Sequence, residues 1–389
     1  MTTADPRHAL AREAPALQPQ ERLVFLTRQL TLGGAERQLV QLAVALRQRG
    51  LDVHVVVMYG DGELEADLRT SDVPVHVLGK RGRYDVIRFG WRLFRTLRWL
   101  RPSVLHGYLP MDNLLVTATA PFLPGTRRIW GVRASHLEHA RQDWLSRATS
   151  RLEVLASRSA DVVIANSQAG RAHVIRRGFD SARVIVIPNG IDTDRFAPDP
   201  ATRRRMRQAW GIDDDVPLIG IVGRLDPMKD HRTFLAAAGL VAAARPSVRF
   251  VIVGRGPDDY AAGLRAEASR IGIEDRVVWA GALRDAAAAF TALDLLVSSS
   301  TGEGFSNAIA EGLACGVPAV VTDVGDSRTI VGSGGLVVPV GDPPALAEAM
   351  LTVLDDVGQF VGHARRGIVT RYSTDRMAST FQNAIWPSG

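Results

Sequence analysis

Short β-branched runs recur along this chain, each separated from the next by a longer stretch whose apolar residues have helical spacing. RLVFLTRQL (22–30) comes first. It is followed by GGAERQLVQLAVALRQRG (33–50), a helical stripe that stops at Gly50. DVHVVVMY, VPVHVLG, SVLHGYL, RRIWGVRA, DVVIANS and VIVIPNG continue the series, with helical stretches between most of them. This βαβ rhythm predicts a parallel sheet covered by helices.

The rhythm lapses at 191–216, IDTDRFAPDPATRRRMRQAWGIDDDV, a charged segment with Pro198 and Pro200. A second series then begins: PLIGIVGRL, VRFVIVGRG, RVVWAG, DLLVSSS, PAVVTDVG and GLVVPV. The predicted fold class is therefore α/β, with two Rossmann-like halves rather than one sheet. A length of 389 residues suits two domains of ordinary size, and 46% hydrophobic residues suffices for two cores. We expect a disordered tail over 1–21, an N-terminal domain over 22–190, a junction at 191–216 and a C-terminal domain over 217–370. The last helix, 371–389, is free to cross back to the first domain. Ligands of open parallel sheets bind beyond the carboxyl ends of the strands, so two facing sheets would enclose a cleft.

Residues 1–21 lack the apolar core of a secretory signal, and the single cysteine, Cys315, fits a reducing compartment. No apolar run reaches the roughly 18 residues of a membrane span. A cytoplasmic protein is expected, with no nucleic acid as partner. The charge is uneven: 27 basic and 17 acidic side chains fall in 1–189, against 20 and 24 in 190–389. A basic first half suggests an anionic partner on that side, unless it reflects an arginine-rich composition alone.

The chain has only two lysines, Lys80 and Lys229, against 45 arginines. Lys229 lies in VGRLDPMKDH (222–231), just before a predicted helix for which Asp230 is a plausible N-cap. A cation there opposes the helix dipole at a cost of roughly 0.3–1 kcal/mol unless an anion is near. Arg224 would sit at the end of the preceding strand, and its planar fork with the Lys229 ammonium suits a diphosphate. The plainer reading is two solvated loop cations. STGEGFSNAIAEGLACG (300–316) follows another strand. Gly302 and Gly304 permit close approach, Ser306 or Asn307 is positioned to cap the next helix, and the amides of Phe305, Ser306 and Asn307 would be free to hold a phosphate. Glu303 and Glu311 stand eight residues apart and suit neutral hydroxyls better than phosphate. A dipole role explains Glu311 poorly, because that effect fades after the first turn.

GRLDPMKD, EGFSNAIAE, VIVIPNGID and GGAE together make the chain resemble glycosyltransferase family 4, over nearly all of its length after residue 21. The resemblance implies a GT-B enzyme: two Rossmann-like domains with the active site between them. It implies that Arg224 and Lys229 bind the donor diphosphate, Glu311 the nucleotide ribose and Glu303 the transferred sugar. Gly33 and Gly34, in TLGGAERQL, would allow close approach of donor phosphate or acceptor. The family is usually metal-independent and retaining, so no cofactor beyond the nucleotide-diphosphate sugar is expected. The protein-borne cations and the helix N-terminus would meet the negative charge on the departing diphosphate. The family often carries His-x-His after a later strand. Here His106 matches the first histidine and Tyr108 replaces the second. These two, with Asn113 and Arg133, are candidates for the acceptor side. The expected activity is transfer of a hexose to a glycan or lipid-linked acceptor, as in cell-surface polysaccharide or glycolipid synthesis. A sugar-nucleotide epimerase of the same fold and a non-catalytic two-lobed sugar-binding protein are the alternatives.

Other signals are weaker. Gly254-Arg255-Gly256 lacks the third glycine of a dinucleotide motif. Asp192-Thr193-Asp194 spells a metal–nucleotide motif but reads better as a turn, and His136 with His139 lacks a third ligand. YDVIRFGWRLFRTLRWLRP (84–102) places Arg88, Arg92 and Arg95 on one helix face, flanked by Trp91, Phe94 and Arg98. Val86, Phe89, Leu93, Leu97 and Leu100 supply its apolar side. Such a face suits an anionic membrane surface, here the inner one, or is simply solvated.

Overall fold

The computed structural model describes residues 21–82, 84–133, 144–283 and 285–386. The expected tail, apart from Glu21, lies outside these residues, as do His136 and His139.

The first series forms β1 (Arg22–Thr27), β2 (Asp52–Val57), β3 (Val75–Val77), β4 (Val104–Gly107), β5 (Arg127–Val132), β6 (Val162–Ala165) and β7 (Val184–Val186). They assemble in the order β3-β2-β1-β4-β5-β6-β7. The second series forms β8 (Leu218–Val222), β9 (Arg249–Val253), β10 (Val277–Gly281), β11 (Leu295–Ser298), β12 (Ala319–Thr322) and β13 (Gly335–Val338), in the order β10-β9-β8-β11-β12-β13. Every pairing is parallel. Leu23, Val24, Phe25 and Leu26 of β1 are fully buried, as expected for a strand with helices on both faces. Each sheet has a switch point, β1/β4 in the first and β8/β11 in the second, where successive connections leave in opposite directions. The loops that follow these strands open a crevice there.

The stretch 191–216 holds the crossing between the domains only at its start. Ile191 N–H donates to the Tyr372 carbonyl (2.7 Å) and Thr374 N–H to the Ile191 carbonyl (3.0 Å), so the two crossing segments lie side by side. The Gln38 side chain clamps Gly190 through both its N–H (2.9 Å) and its carbonyl (2.8 Å). Beyond the crossing, the charged sequence folds into helix Pro200–Ala209, capped by Asp199. Its Arg207 is fully buried, donating to the Ala292 and Asp213 carbonyls (2.9 and 2.8 Å) and to Asp294 (3.2 Å). After the second crossing, helix Thr374–Ile385 packs Met377, Ala378, Phe381 and Ile385 into the first domain's core beside Leu23 and Phe25.

Gly254 and Gly256 serve backbone packing. Gly254 has φ +154°, and a Cβ there would lie 1.7 Å from the Gly223 carbonyl oxygen. A Cβ on Gly256 would lie 2.0 Å from the Leu225 oxygen. The loops after β8 and β9 are thus stitched together, with Leu225 N–H on the Arg255 carbonyl (3.0 Å). This gives the segment around Arg224 a rigid floor. Among the described residues, no helix is long and apolar enough to cross a membrane.

Candidate active site

The loop after β8 reaches the crevice through a short 3-10 turn, Pro227–Lys229, in which the Asp226 carboxylate accepts the Met228 N–H (2.9 Å). Asp230 then takes a left-handed conformation, φ +47°, and caps helix His231–Ala244 through Thr233. That sharp reversal leaves Lys229 on the crevice side. Its ammonium is ion-paired with Glu303, whose Oε1 also accepts the Ser300 hydroxyl (2.8 Å). The Lys229 side chain is 20% exposed and that of Glu303 9%. The anion near Lys229 is therefore a carboxylate of the neighbouring loop.

Lys229 lines a small cleft with Gly223, Ser298, Ser300, Ser306 and Ile309. Arg224 is not among its lining residues. Its guanidinium stays 73% exposed, with the Asp226 carboxylate at 4.0 Å, a pairing worth little in water. The expected convergence of Arg224 and Lys229 is corrected to this extent: the loop packs Lys229 inward and leaves Arg224 on the open face.

The loop after β11 is fastened to the first by Thr301 N–H on the Met228 carbonyl (2.8 Å) and by the Ser299 hydroxyl, 2.9 Å from the carbonyls of both Lys229 and Asp230. It leads into helix Asn307–Ala314. Ser306 holds the N-cap position, but its side chain makes no capping bond. Asn307 does not cap either. Its side chain accepts from Asn189 (2.8 Å) and reaches the Gly34 carbonyl at 3.5 Å. The first-turn amides keep no intrahelical acceptor. Phe305 is buried edge-on to Tyr372. Gly304 accepts from Asp326 N–H (3.1 Å). Glu311, 9% exposed, has its carboxyl pushed up to about 7 by burial, against the opposing pull of Arg37 and Arg195.

From the first domain, Gly33 and Gly34 open helix Gly34–Gln48 directly against this turn. A Cβ on Gly34 would come within 3.3 Å of Asn307 Nδ2, and one on Gly33 within 2.0 Å of the Glu36 carboxylate. Two helix N-termini thus meet across the crevice, an arrangement that favours an anion between them.

The expected acceptor-side residues behave differently. Alternation along β4 puts His106 on the face covered by helix Thr374–Ile385. There it is fully buried, its ring stacked on Phe381 (5.7 Å between centroids) and near Phe25 (5.3 Å). Burial holds its pKa well below the ordinary imidazole range. Tyr108 is 1% exposed, with its hydroxyl pushed up to about 12 by burial. Asn113 spends both amide atoms on Gly131, donating to its carbonyl (2.9 Å) and accepting its N–H (3.1 Å). His106, Tyr108 and Asn113 are therefore buried in this structure, not open to an acceptor as expected. Arg133 covers the Tyr108 ring at 3.8 Å and reaches Asn189 at 3.5 Å, in line with Asn307.

Sequence reasoning missed Asn189 and Asp326, which hydrogen-bond to the turn Gly302–Asn307 from other segments, and Arg37, whose charge acts on Glu311. Only Asn189 carried a signal, its place in VIVIPNGID. Asp192 forms a turn, accepting the N–H groups of Asp194 (3.2 Å) and Arg195 (3.0 Å). Among the described residues, no group of three His, Cys, Asp or Glu side chains is placed to hold a metal ion.

Two Rossmann-like sheets joined by a double crossing, with the loop after β1 in contact with the turn after β11, define a two-domain architecture of the GT-B type. Residues 32–195 match the family model Glycosyltransferase Family 4, and residues 216–356 match Glycosyl transferases group 1. A GDP-mannose-dependent alpha-(1-6)-phosphatidylinositol monomannoside mannosyltransferase of Mycolicibacterium smegmatis is 30% identical over 76% of this chain and 83% of its own. A GDP-mannose-dependent alpha-mannosyltransferase of Mycobacterium tuberculosis is 29% identical over 87% and 89%. Among solved structures, Anabaena HepE in complex with UDP and glucose superposes with a TM-score of 0.82 at 23% identity, over 94% of this chain and 99% of that one. The chain belongs to glycosyltransferase family 4.

Proposed function

We propose that this enzyme moves a hexose from a nucleoside-diphosphate sugar to a hydroxyl of a glycan or lipid-linked acceptor, with retention of anomeric configuration and without a metal. The observation that carries this reading is Lys229, held by Glu303 beside the open N-terminus of helix Asn307–Ala314. As the anomeric C–O bond breaks, its electron pair leaves on the diphosphate, while the acceptor hydroxyl oxygen bonds to the anomeric carbon from the same face and passes its proton to the departing phosphate oxygen. The ammonium, the helix amides and the Arg224 guanidinium, swung in from the surface, stabilise that charge in the transition state. Once Lys229 turns to phosphate, Glu303 is released to accept hydrogen bonds from the sugar. Glu311 takes the ribose hydroxyls. GDP-mannose is the first donor to test, since both relatives named above are GDP-mannose-dependent. The test is transfer from a panel of GDP- and UDP-sugars, with the anomeric configuration of the product read by proton NMR. An inverted product removes retention, and turnover of the sugar nucleotide to an epimer without acceptor removes transfer. Because the cations are protein-borne, activity persists in excess EDTA. Complete loss, restored by magnesium or manganese, contradicts the metal-free reading.

The acceptor partner of the basic domain is proposed to lie at an anionic membrane surface. Helix Val86–Leu100 buries Phe89, Leu93, Leu97 and Leu100. Val86, expected on that apolar side, is instead 63% exposed, together with Ile87 (90%) and Trp91 (57%). Arg92 is tied to Asp85 (2.8 Å) and half-buried, which takes it off the basic face. The outward face combines Arg88, Arg95 and Arg98 with Ile87 and Trp91, a mixture suited to lipid phosphates above apolar chains. We expect salt-sensitive cosedimentation with anionic but not neutral liposomes, lost in Arg88→Glu/Arg95→Glu/Arg98→Glu. Equal indifference of the wild type to both vesicle types contradicts it.

A further inference from the structure

Besides the crossing segments, the two domains are joined by a contact that no motif announced. Helix Gln168–Arg176 follows β6 in the first domain, and its N-cap Ser167 accepts the Gly170 N–H (2.9 Å). The next two orphan amides leave the domain altogether. Gln168 N–H and Ala169 N–H donate to the two oxygens of the Asp326 carboxylate, at 2.8 and 3.0 Å. Asp326 belongs to the second domain, in the loop after β12. Its own N–H is the group that donates to Gly304 (3.1 Å). The preceding Gly325, at φ +55°, is pressed against the same turn: a Cβ there would lie 2.4 Å from the Glu303 oxygen and 2.6 Å from that of Gly304. One residue therefore grips the donor-side turn with its backbone and the opposite domain with its side chain. A carboxylate accepting two amides at a helix N-terminus is a charge-assisted contact favoured by the dipole.

We propose that Asp326 is a positioning residue that latches the first domain onto the turn Gly302–Asn307, so that closing the crevice and setting the donor turn are one event. The half of this inference that concerns catalysis rests on reading that turn as the donor site; the latch itself does not. Asp326→Asn weakens it from one side. Gln168→Pro weakens it from the other, at a residue of the first domain outside that turn. Proline is tolerated at the first helical position, and Ser167 is already extended (φ −157°, ψ 156°), as a residue before proline prefers.

The experiment measures three things on the full chain: the radius of gyration by small-angle scattering, GDP and UDP binding by calorimetry, and steady-state transfer. Each single variant is expected to enlarge the radius of gyration and lower kcat by about tenfold, within the usual range of coupling between sites. Nucleoside-diphosphate affinity should move far less, because its main contacts lie within the second domain. The double variant should be no worse than either single one, since both break the same contact. Unchanged radius and unchanged kcat in both variants overturn the latch, as does strict additivity. A variant radius that grows while the wild type binds neither GDP nor UDP leaves the latch standing and overturns the donor reading instead.

Discussion

Lys229→Ala lowers kcat/KM by about 10- to 100-fold, the equivalent of losing one charge-assisted contact of roughly 1.5–3 kcal/mol to the leaving group. Arg224→Ala also weakens binding and turnover, but its exposed guanidinium has less to lose in desolvated strength. The Lys229 variant has a second consequence. It takes the ammonium away from a carboxylate only 9% exposed, leaving Glu303 with the Ser300 hydroxyl among its partners. Removing one member of a fully buried pair costs about 3–5 kcal/mol, and the partial exposure of Lys229 puts this case below that range. Lys229→Ala/Glu303→Gln should recover most of the lost stability and none of the activity. Recovery of both means that the pair is purely structural. Unchanged binding and rate in the Lys229 and Arg224 single variants removes the diphosphate site.

Glu311→Gln should move stability and donor binding in opposite directions. Burial pushes this carboxyl up to about 7, so the folded protein holds the proton more tightly than the unfolded chain does. The group costs nothing below the ordinary carboxylate range. Its cost grows as pH rises from there, and levels off above about 7. A shift of that size corresponds to about 3 kcal/mol, so the glutamine variant should unfold later than the wild type at pH 8 and alike at pH 4. The same carboxylate is assigned to the ribose hydroxyls. The variant should therefore bind the donor about tenfold or more weakly, the loss expected for hydrogen bonds to a charged group. Wild-type kcat/KM should fall as pH drops below about 7, and the variant should lose that inflection. Tighter donor binding by the variant, or an unaltered pH profile, contradicts the assignment.

The sheets were legible because a two-faced buried strand and a crossover helix leave periodic signatures that need no tertiary context. The loops assigned to the donor were legible for a related reason: Gly302, Gly304 and the stretch after β8 follow the carboxyl ends of strands, where open parallel sheets bind ligands. What stayed hidden were pairings between segments. Lys229 and Glu303 lie 74 residues apart, and nothing in either loop says that β8 and β11 will be neighbours. The family resemblance put His106 on the acceptor side, yet alternation turned it to the face that the returning C-terminal helix seals. Asn113, a candidate for the acceptor side, is taken up instead by backbone, the Gly131 amide and carbonyl, which no local pattern announces. Arg92 left the basic face for Asp85, which precedes the helix and lies outside its periodicity. The charged run 200–216 hid a fully buried arginine, Arg207, since only the fold supplies the carbonyls that satisfy it.

The most direct test of the central claim is calorimetric binding of a nucleoside, its monophosphate and its diphosphate, in the guanosine and uridine series, to the wild type and to Lys229→Ala. The account predicts a large step in affinity from monophosphate to diphosphate in at least one series, and predicts that the Lys229 variant loses that step while keeping its affinity for the monophosphate. Equal affinity for mono- and diphosphate in the wild type, or a step that survives in the variant, would contradict it.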